Sequence, residues 1–186
     1  MKLKNILITG ANGFIGSFLM RDLNNDFNLK CTSLNPSTNK ILQVDLTDNS
    51  SVKDFISNSN TFDSIIFLVG LAHKKGKKKE IDQFRKINYE TLNNLLSHLD
   101  KEKKLPTKII FASTISIYGE NNNNAVINEN SRPNPSSPYA ITKKEAEDYL
   151  IQNYQSSSWI LRLAPVYSKD FKININRRTK IKDFNY

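Results

Sequence analysis

The sequence predicts an α/β domain: a doubly wound parallel sheet with helices on both faces. Short apolar runs alternate with stretches of helical length, as a series of βαβ units requires. The first apolar run ends in a glycine triplet that opens a helix. The length of 186 residues suits one domain with a real core.

Each element has its own signal. Ile6-Leu7-Ile8 is wholly apolar and stops at Thr9-Gly10, the pattern of a strand buried on both sides. From Gly13 to Leu23, Phe14, Phe18 and Leu19 fall at helical spacing. Leu29 to Leu34 and Ile41 to Val44 are short strands, the second closing at Asp45. Ser50 to Ser57 is a short helix with Val52, Phe55 and Ile56 inward. Ser64 to Val69 is the next strand. Glu80 to Leu99 is the longest helical pattern, with Phe84, Ile87, Leu92, Leu95, Leu96 and Leu99 recurring at threes and fours. Lys108 to Phe111 is a strand that runs into Ala112-Ser113-Thr114. A polar loop over 120–136 exceeds the usual connection and reads as an active-site wall or lid. Tyr139 to Tyr154 is a second long helix, and Trp159 to Leu163 the last strand.

Composition excludes several classes. No run of about 18 apolar residues is present, so no membrane span is expected. The start, Met1 to Gly10, lacks the apolar length and cleavage site of a secretion signal. The single cysteine, Cys31, excludes an internal disulfide framework. His73 and His98 lie too far apart to rescue a metal site, so none is expected. These features suggest a reducing cytoplasm. His73 reads as a polar loop residue and His98 as a helix-end residue.

The net charge of +9 is concentrated in two places. Segment 73–80 sets five lysines against Glu80, and segment 171–186 sets Lys172, Arg177, Arg178, Lys180 and Lys182 against Asp183. The remainder is nearly neutral, and no nucleic-acid reading motif or aromatic platform accompanies the lysines, so a nucleic-acid partner is not expected. The same patches suit an anionic substrate.

Thr9-Gly10-Ala11-Asn12-Gly13-Phe14-Ile15-Gly16 is the first functional candidate. Its glycines stand three apart between a buried strand and a helix. Glycine serves there for the tight turn, for backbone approach to phosphate and for helix–strand packing, while the helix start faces a pyrophosphate. An acidic residue usually follows about 20 positions later to hold the adenosine ribose. None occurs between Asp26 and Asp45, and Asn35 stands in that place. NAD and NADP both remain open, with the absence of a nearby arginine favouring NAD. Asp45 sits where it could accept from an adenine amine, or it closes a turn.

The second candidate is chemical. Thr114 ends the fifth strand, and Tyr139 and Lys143 stand four apart on one helix face. A lysine one turn from a tyrosine is expected to favour phenolate and lower the phenol pKa. A hydroxyl at Thr114 beside it would complete a proton-transfer group. Pro138 suits the first helical turn just before Tyr139.

With these residues in place, the chain resembles the NAD-dependent epimerase/dehydratase group of extended short-chain dehydrogenase/reductases, and among them nucleotide-sugar epimerases. The family's TGxxGFIG motif is matched by Thr9 to Gly16, and its aspartate after the third strand by Asp45. Its HLAA block falls on Phe67-Leu68-Val69-Gly70, keeping only the leucine. Its Asn-x-x-Gly-Thr helix motif appears as Asn88-Tyr89-Glu90-Thr91-Leu92, displaced in the glycine. Ser113 to Gly119 match its serine–tyrosine–glycine block, and Ser137 to Lys143 its SPYxxxK block. Leu161 to Ser168 match LRxxxVYG, with serine for the last glycine.

The resemblance implies a Rossmann-type fold with Gly10, Gly13, Phe14, Ile15 and Gly16 near dinucleotide phosphates. It implies Asp45 and Leu46 around adenine, Val69 and Gly70 along the cofactor, Lys143 on the nicotinamide ribose, and Pro165 and Val166 beside the nicotinamide. It implies Tyr139 as acid/base, Thr114 as its partner, a nucleotide-sugar substrate, and a homodimer through helices 80–99 and 139–154. A 4,6-dehydratase would carry an acidic pair beside Thr114, where this chain has Ile115 and Ser116, so epimerase is the first reading and reductase or dehydratase the alternatives. Family members are longer. The expected division is therefore a dinucleotide-binding domain over 1–170 and a basic tail over 171–186 that begins an incomplete, C-terminally truncated substrate region. A dinucleotide-binding remnant without turnover is the remaining reading.

Overall fold

The computed structural model describes residues 3–71, 76–119 and 126–169. The chain runs β1 (Asn5–Thr9), α1 (Phe14–Leu23), β2 (Asn28–Ser33), β3 (Leu42–Gln43), α2 (Asn49–Ser57) and β4 (Ser64–Phe67). It continues through α3 (Ile81–Arg85), α4 (Thr91–Lys101), β5 (Lys108–Thr114), α5 (Pro138–Tyr154) and β6 (Ser158–Leu163). All strand pairs are parallel, in the order β3-β2-β1-β4-β5-β6. Winding therefore reverses between β1 and β4, the crevice where open α/β sheets bind ligands. His73, residues 120–125 of the polar loop and the basic tail lie outside the described residues.

Two apolar layers hold the sheet. On one face Leu7, Ile65, Phe67, Ile109 and Phe111 pack against Val52 and Ile56 of α2, Leu92, Leu95, Leu96 and Leu99 of α4, and Ala146 and Leu150 of α5. On the other face Ile6, Ile8, Cys31 and Ile66 meet Leu19, Met20 and Leu23 of α1. Period-two alternation along each strand sends neighbouring side chains to opposite layers. Among the described residues, little beyond α1 covers the second face. Trp159 and Leu161 of β6 point there and are 60% and 42% exposed.

The expected helix over 80–99 is interrupted. A 3₁₀ turn, Lys78–Glu80, leads into α3, and a π turn, Lys86–Glu90, separates α3 from α4. The widened turn buries Asn88 fully and leaves Ile87 half-buried, where periodicity puts Ile87 inward. The physical reason is a polar anchor. Asn88 Oδ1 accepts from the Leu71 amide at 2.7 Å, and its Nδ2 donates to Thr142 Oγ1 at 2.9 Å. Strand β3 is also shorter than expected, and β4 stops at Phe67 before Val69.

The two layers predict unequal mutational costs. Leu95→Ala, which leaves a cavity in a fully buried layer, should cost about 2–5 kcal/mol in urea unfolding. Trp159→Ala should cost well under the about 3 kcal/mol of a core tryptophan, because water already reaches its ring. A larger loss at Trp159 than at Leu95 would contradict this layering.

Candidate active site

Parallel strands send all their carboxyl ends to one edge, so every expected site residue gathers along it. The glycine loop leaves β1, Asn35 follows β2, and Asp45 and Leu46 follow β3. Val69 and Gly70 follow β4, Thr114 ends β5, and Pro165 and Val166 follow β6.

The glycine loop is built by close contacts. Gly10 has φ +68°, and a Cβ there would stand 3.2 Å from the main chain of Leu68 and Val69. A Cβ on Gly16 would stand 2.6 Å from the Gly10 carbonyl oxygen. Gly13, whose amide donates to the Gly10 carbonyl at 2.9 Å, caps α1 without a side chain. Phe14 and Ile15 thus open a helix whose positive end faces the crevice with no capping side chain in the way. These are the features a pyrophosphate requires, and the loop fits one. Asn35 is drawn to it by Asn12 Nδ2, which donates to the Asn35 carbonyl at 2.9 Å.

Asp45 and Leu46 are more committed. Asp45 Oδ1 closes a turn by accepting from the amide and hydroxyl of Thr47 at 2.8 and 2.7 Å. Leu46 turns its side chain into the core, and its carbonyl accepts from Asn94 at 3.0 Å. Contact with a ligand at this position would fall to main chain more than to the leucine side chain.

Helix α5 carries the chemical end. Ser137 caps it by accepting from the Ala140 amide at 3.2 Å, and Pro138 takes the first helical position. Tyr139 then lies beside Thr114, whose hydroxyl opposes the upward shift of the phenol, bonds Ser116 Oγ at 3.2 Å and accepts from the Ser116 amide at 3.1 Å. Lys143 lies one turn on, 3% exposed, with its amine 4.0 Å from the centre of the Phe111 ring. A Cβ on Gly70 would stand 3.8 Å from that amine and 3.2 Å from Asn88 Oδ1. Gly70 is therefore where the β4 loop, the π turn and α5 meet.

One electrostatic expectation is corrected. Burial pushes the Tyr139 phenol up from its ordinary value, and Thr114 only partly opposes this. Lys143 does not depress it here, because burial also lowers the lysine itself to about 7, with Glu147 opposing. A half-neutral amine over a phenyl ring offers little field to the phenol.

The seam behind this pair escaped hydrophobic pattern reading. Glu147, one turn after Lys143, is completely buried and accepts from Ser113 Oγ. Arg162 of β6 grips the same carboxylate, with Nη2 at 2.9 Å from Oε2, and donates from Nη1 to Tyr118 at 2.6 Å. The available signal was the spacing Tyr139, Lys143, Glu147, three polar residues at consecutive turns of one face. His98, at the end of α4, contacts Asn49 Oδ1 at 3.3 Å, away from the site. Among the described residues no group of three or more His, Cys, Asp or Glu could hold a metal, and no helix is long and apolar enough to cross a membrane.

Lys143 gives stability a defined pH dependence. Its folded value near 7 lies below the 10.5 of a free lysine, so between these the unfolded chain binds the extra proton and stability rises with pH. Denaturant unfolding from pH 6 to pH 9 should show Lys143→Met more stable than wild type at the acid end, with the gap closing toward pH 9. A gap independent of pH would show that the lysine titrates normally.

The chain is similar to known proteins in sequence and fold. The chain is 28% identical over 156 residues to N-acetyl-alpha-D-glucosaminyl-diphospho-ditrans,octacis-undecaprenol 4-epimerase of Escherichia coli O157:H7, covering 82% of this chain and 44% of that protein. It is 31% identical over 183 residues to dTDP-D-glucose 4,6-dehydratase of Dictyostelium discoideum, covering 83% of this chain and 41% of that one. The chain thus spans less than half the length of either curated relative. Among solved structures, UDP-glucose 4-epimerase of Thermotoga maritima with UDP-glucose superposes with a TM-score of 0.77 at 28% identity, over 88% of this chain and 56% of that one. Residues 6–183 match the family model itself, and with the glycine loop, the strand order and the sheet-edge site they show that this chain belongs to the NAD dependent epimerase/dehydratase family.

Proposed function

We propose that this chain is the dinucleotide-binding part of a nucleotide-sugar epimerase-type enzyme, with NAD as its cofactor. One observation carries the reading: the glycine cradle and the Thr114–Tyr139–Lys143 group open on the same sheet edge and adjoin across Gly70. Residues 1–170 are assigned to dinucleotide binding, and 171–186 to the approach toward a substrate region.

Gly10, Gly13 and Gly16 would admit the diphosphate, Asn35 the adenosine ribose, and the turn at Asp45 and Leu46 the adenine. Lys143, beneath Gly70, would reach the second ribose, with Val69, Pro165 and Val166 walling the nicotinamide end. Bound NAD supplies a hydride acceptor that can return hydride to either face of a sugar carbon. The protein's task is the proton. Burial favours the neutral phenol of Tyr139, so the phenol would first pass its proton to solvent. As phenolate it would take the proton of the sugar hydroxyl while hydride leaves the carbon, and it would give that proton back when hydride returns, with Thr114 beside its oxygen. A sugar hydroxyl between Thr114 and Tyr139 would be oriented by one and exchange its proton with the other. The two positions after Thr114 are Ile115 and Ser116 and not carboxylates, which favours epimerisation over dehydration. Both reactions occur in the names of its relatives.

Calorimetry with NAD and NADP should give measurable heat with wild type, stronger for NAD, and at least tenfold weaker binding in Gly10→Val. Tyr139→Phe should bind NAD within about threefold of wild type yet abolish any turnover of a nucleotide sugar, since phenylalanine has no exchangeable proton. A folded wild type that binds neither dinucleotide, or a fully active Tyr139→Phe, defeats the proposal.

The same reading includes a homodimer. Arg85, Tyr89, Glu145, Asp148, Tyr149 and Gln152 line a shallow groove between the α3–π segment and α5. Arg85 grips Glu145 through two bonds of 2.9 Å across it, and Tyr89 meets Tyr149 edge-on with ring centres 5.8 Å apart. Rigid aromatic and arginine side chains on one face suit a self-complementary contact. Sedimentation should give twice the chain mass for wild type. Gln152→Glu, which adds a third carboxylate beside Glu145 and Asp148, should shift it toward the single chain. A wild-type monomer at tens of micromolar overturns this contact.

A further inference from the structure

We infer that Glu147 is a positioning residue, a buried fixed anion whose charge favours the ammonium form of Lys143 in the seam between β5 and α5. The inference rests on the reading of Tyr139 and Lys143 as the proton-transfer pair.

Lys143 and Glu147 are four apart on α5, so their side chains leave the same face one turn from each other. Both are buried, and Glu147 has no exposed side-chain surface at all. Its carboxylate cannot swing away. One oxygen accepts from Ser113 Oγ, and both face the Arg162 guanidinium, with Nε at 3.3 and 3.2 Å and Nη2 at 2.9 Å. Ser113 directly precedes Thr114, so the clamp also sets the height of Thr114 against α5.

The charged and titratable groups around the pair come from three elements. Arg162 comes from β6, Tyr118 from the turn after β5 and bonded to Arg162, and Tyr139 from α5 itself. Phe111, Ser113 and Thr114 of β5 and Asn88 of the π turn bring dipoles or rings but no charge. Arg162 pairs directly with the carboxylate, and Lys143, one helical turn away, lies within its field. Arg162 is partly exposed and can be solvated, whereas Lys143 and Glu147 are not, so the carboxylate's field on the lysine is weakly screened. Without Glu147 the seam would hold two positive charges, and the buried amine would give up its proton first.

Lys143 can be read directly in the ligand-free protein by carbon NMR of labelled lysine, with Lys143→Arg assigning the resonance. Glu147→Gln should lower the titration midpoint of Lys143 by a pH unit or more, a tenfold loss of proton affinity. Ser113→Ala keeps the charge and should leave the midpoint within about 0.3. Arg162→Gln, by leaving Lys143 as the carboxylate's sole counterion, should raise it. An unchanged midpoint in folded Glu147→Gln, or an equal shift in Ser113→Ala, overturns the inference. Should Glu147→Gln fail to fold, Arg162→Gln decides: a raised midpoint supports it, an unchanged or lowered one defeats it. None of these readings needs a dinucleotide, so absence of NAD binding by wild type would defeat the proposed function and leave this test standing.

Discussion

Everything at the site depends on β1 pairing in parallel with β2 on one side and β4 on the other. Chain leaving β1 turns toward α1 on one face, and chain leaving β4 turns toward the helices of the other. Between the two departures no connection crosses the sheet edge, and a crevice opens. Glycine suits position 10 twice over, by its positive φ and because a Cβ would stand only 3.2 Å from the main chain of Leu68 and Val69. The same closeness brings Gly70 over the amine of Lys143. A cofactor cradle and a proton-transfer group thus become neighbours through strand order alone, although Gly10 and Lys143 are far apart in the chain.

A second constraint is the burial of charge between β5 and α5. A hydrophobic seam of the same size would hold the sheet at least as firmly. The protein instead buries Lys143 and Glu147, and balances them with Arg162, Ser113 and Tyr118. Such networks are tolerable only when nearly every group is satisfied. Among the described residues Ser158 Oγ is the sole buried side-chain polar atom without a hydrogen-bond partner, and it lies at the far end of β6. The seam therefore sets a lysine of tunable charge beside Tyr139 without leaving broken bonds behind it.

Much of the fold was legible because it rests on local apolar runs. Ile6-Leu7-Ile8 and Lys108 to Thr114 read as strands since both sides of a parallel strand are covered, and the glycine triplet marked the first crossover. What escaped was polar and non-local. Asn88 interrupts a stripe whose apolar spacing looks continuous, and only its partners, Leu71 and Thr142, explain the π turn. Val69 reads as strand by composition but leaves the ladder after Phe67, where Leu68 bonds back to Thr9 at 3.3 Å. At the site, spacing put Tyr139 and Lys143 on one face correctly. Their protonation could not follow from spacing, because it depends on the depth at which α5 lies against Phe111 and on Glu147.

The thinly covered side of β6 gives the chain an optical handle. Trp159 is the only tryptophan, and it stands largely in water with the Lys108 amine 5.8 Å from its ring centre. With that exposure its emission should be close to that of a solvated indole in the folded state, so unfolding should change its colour little. Anything that settles on that side of the sheet should move the emission to the blue, while events in the crevice, at the other end of β6, should leave it largely unchanged. One intrinsic fluorophore thus separates surface association from chemistry at the edge.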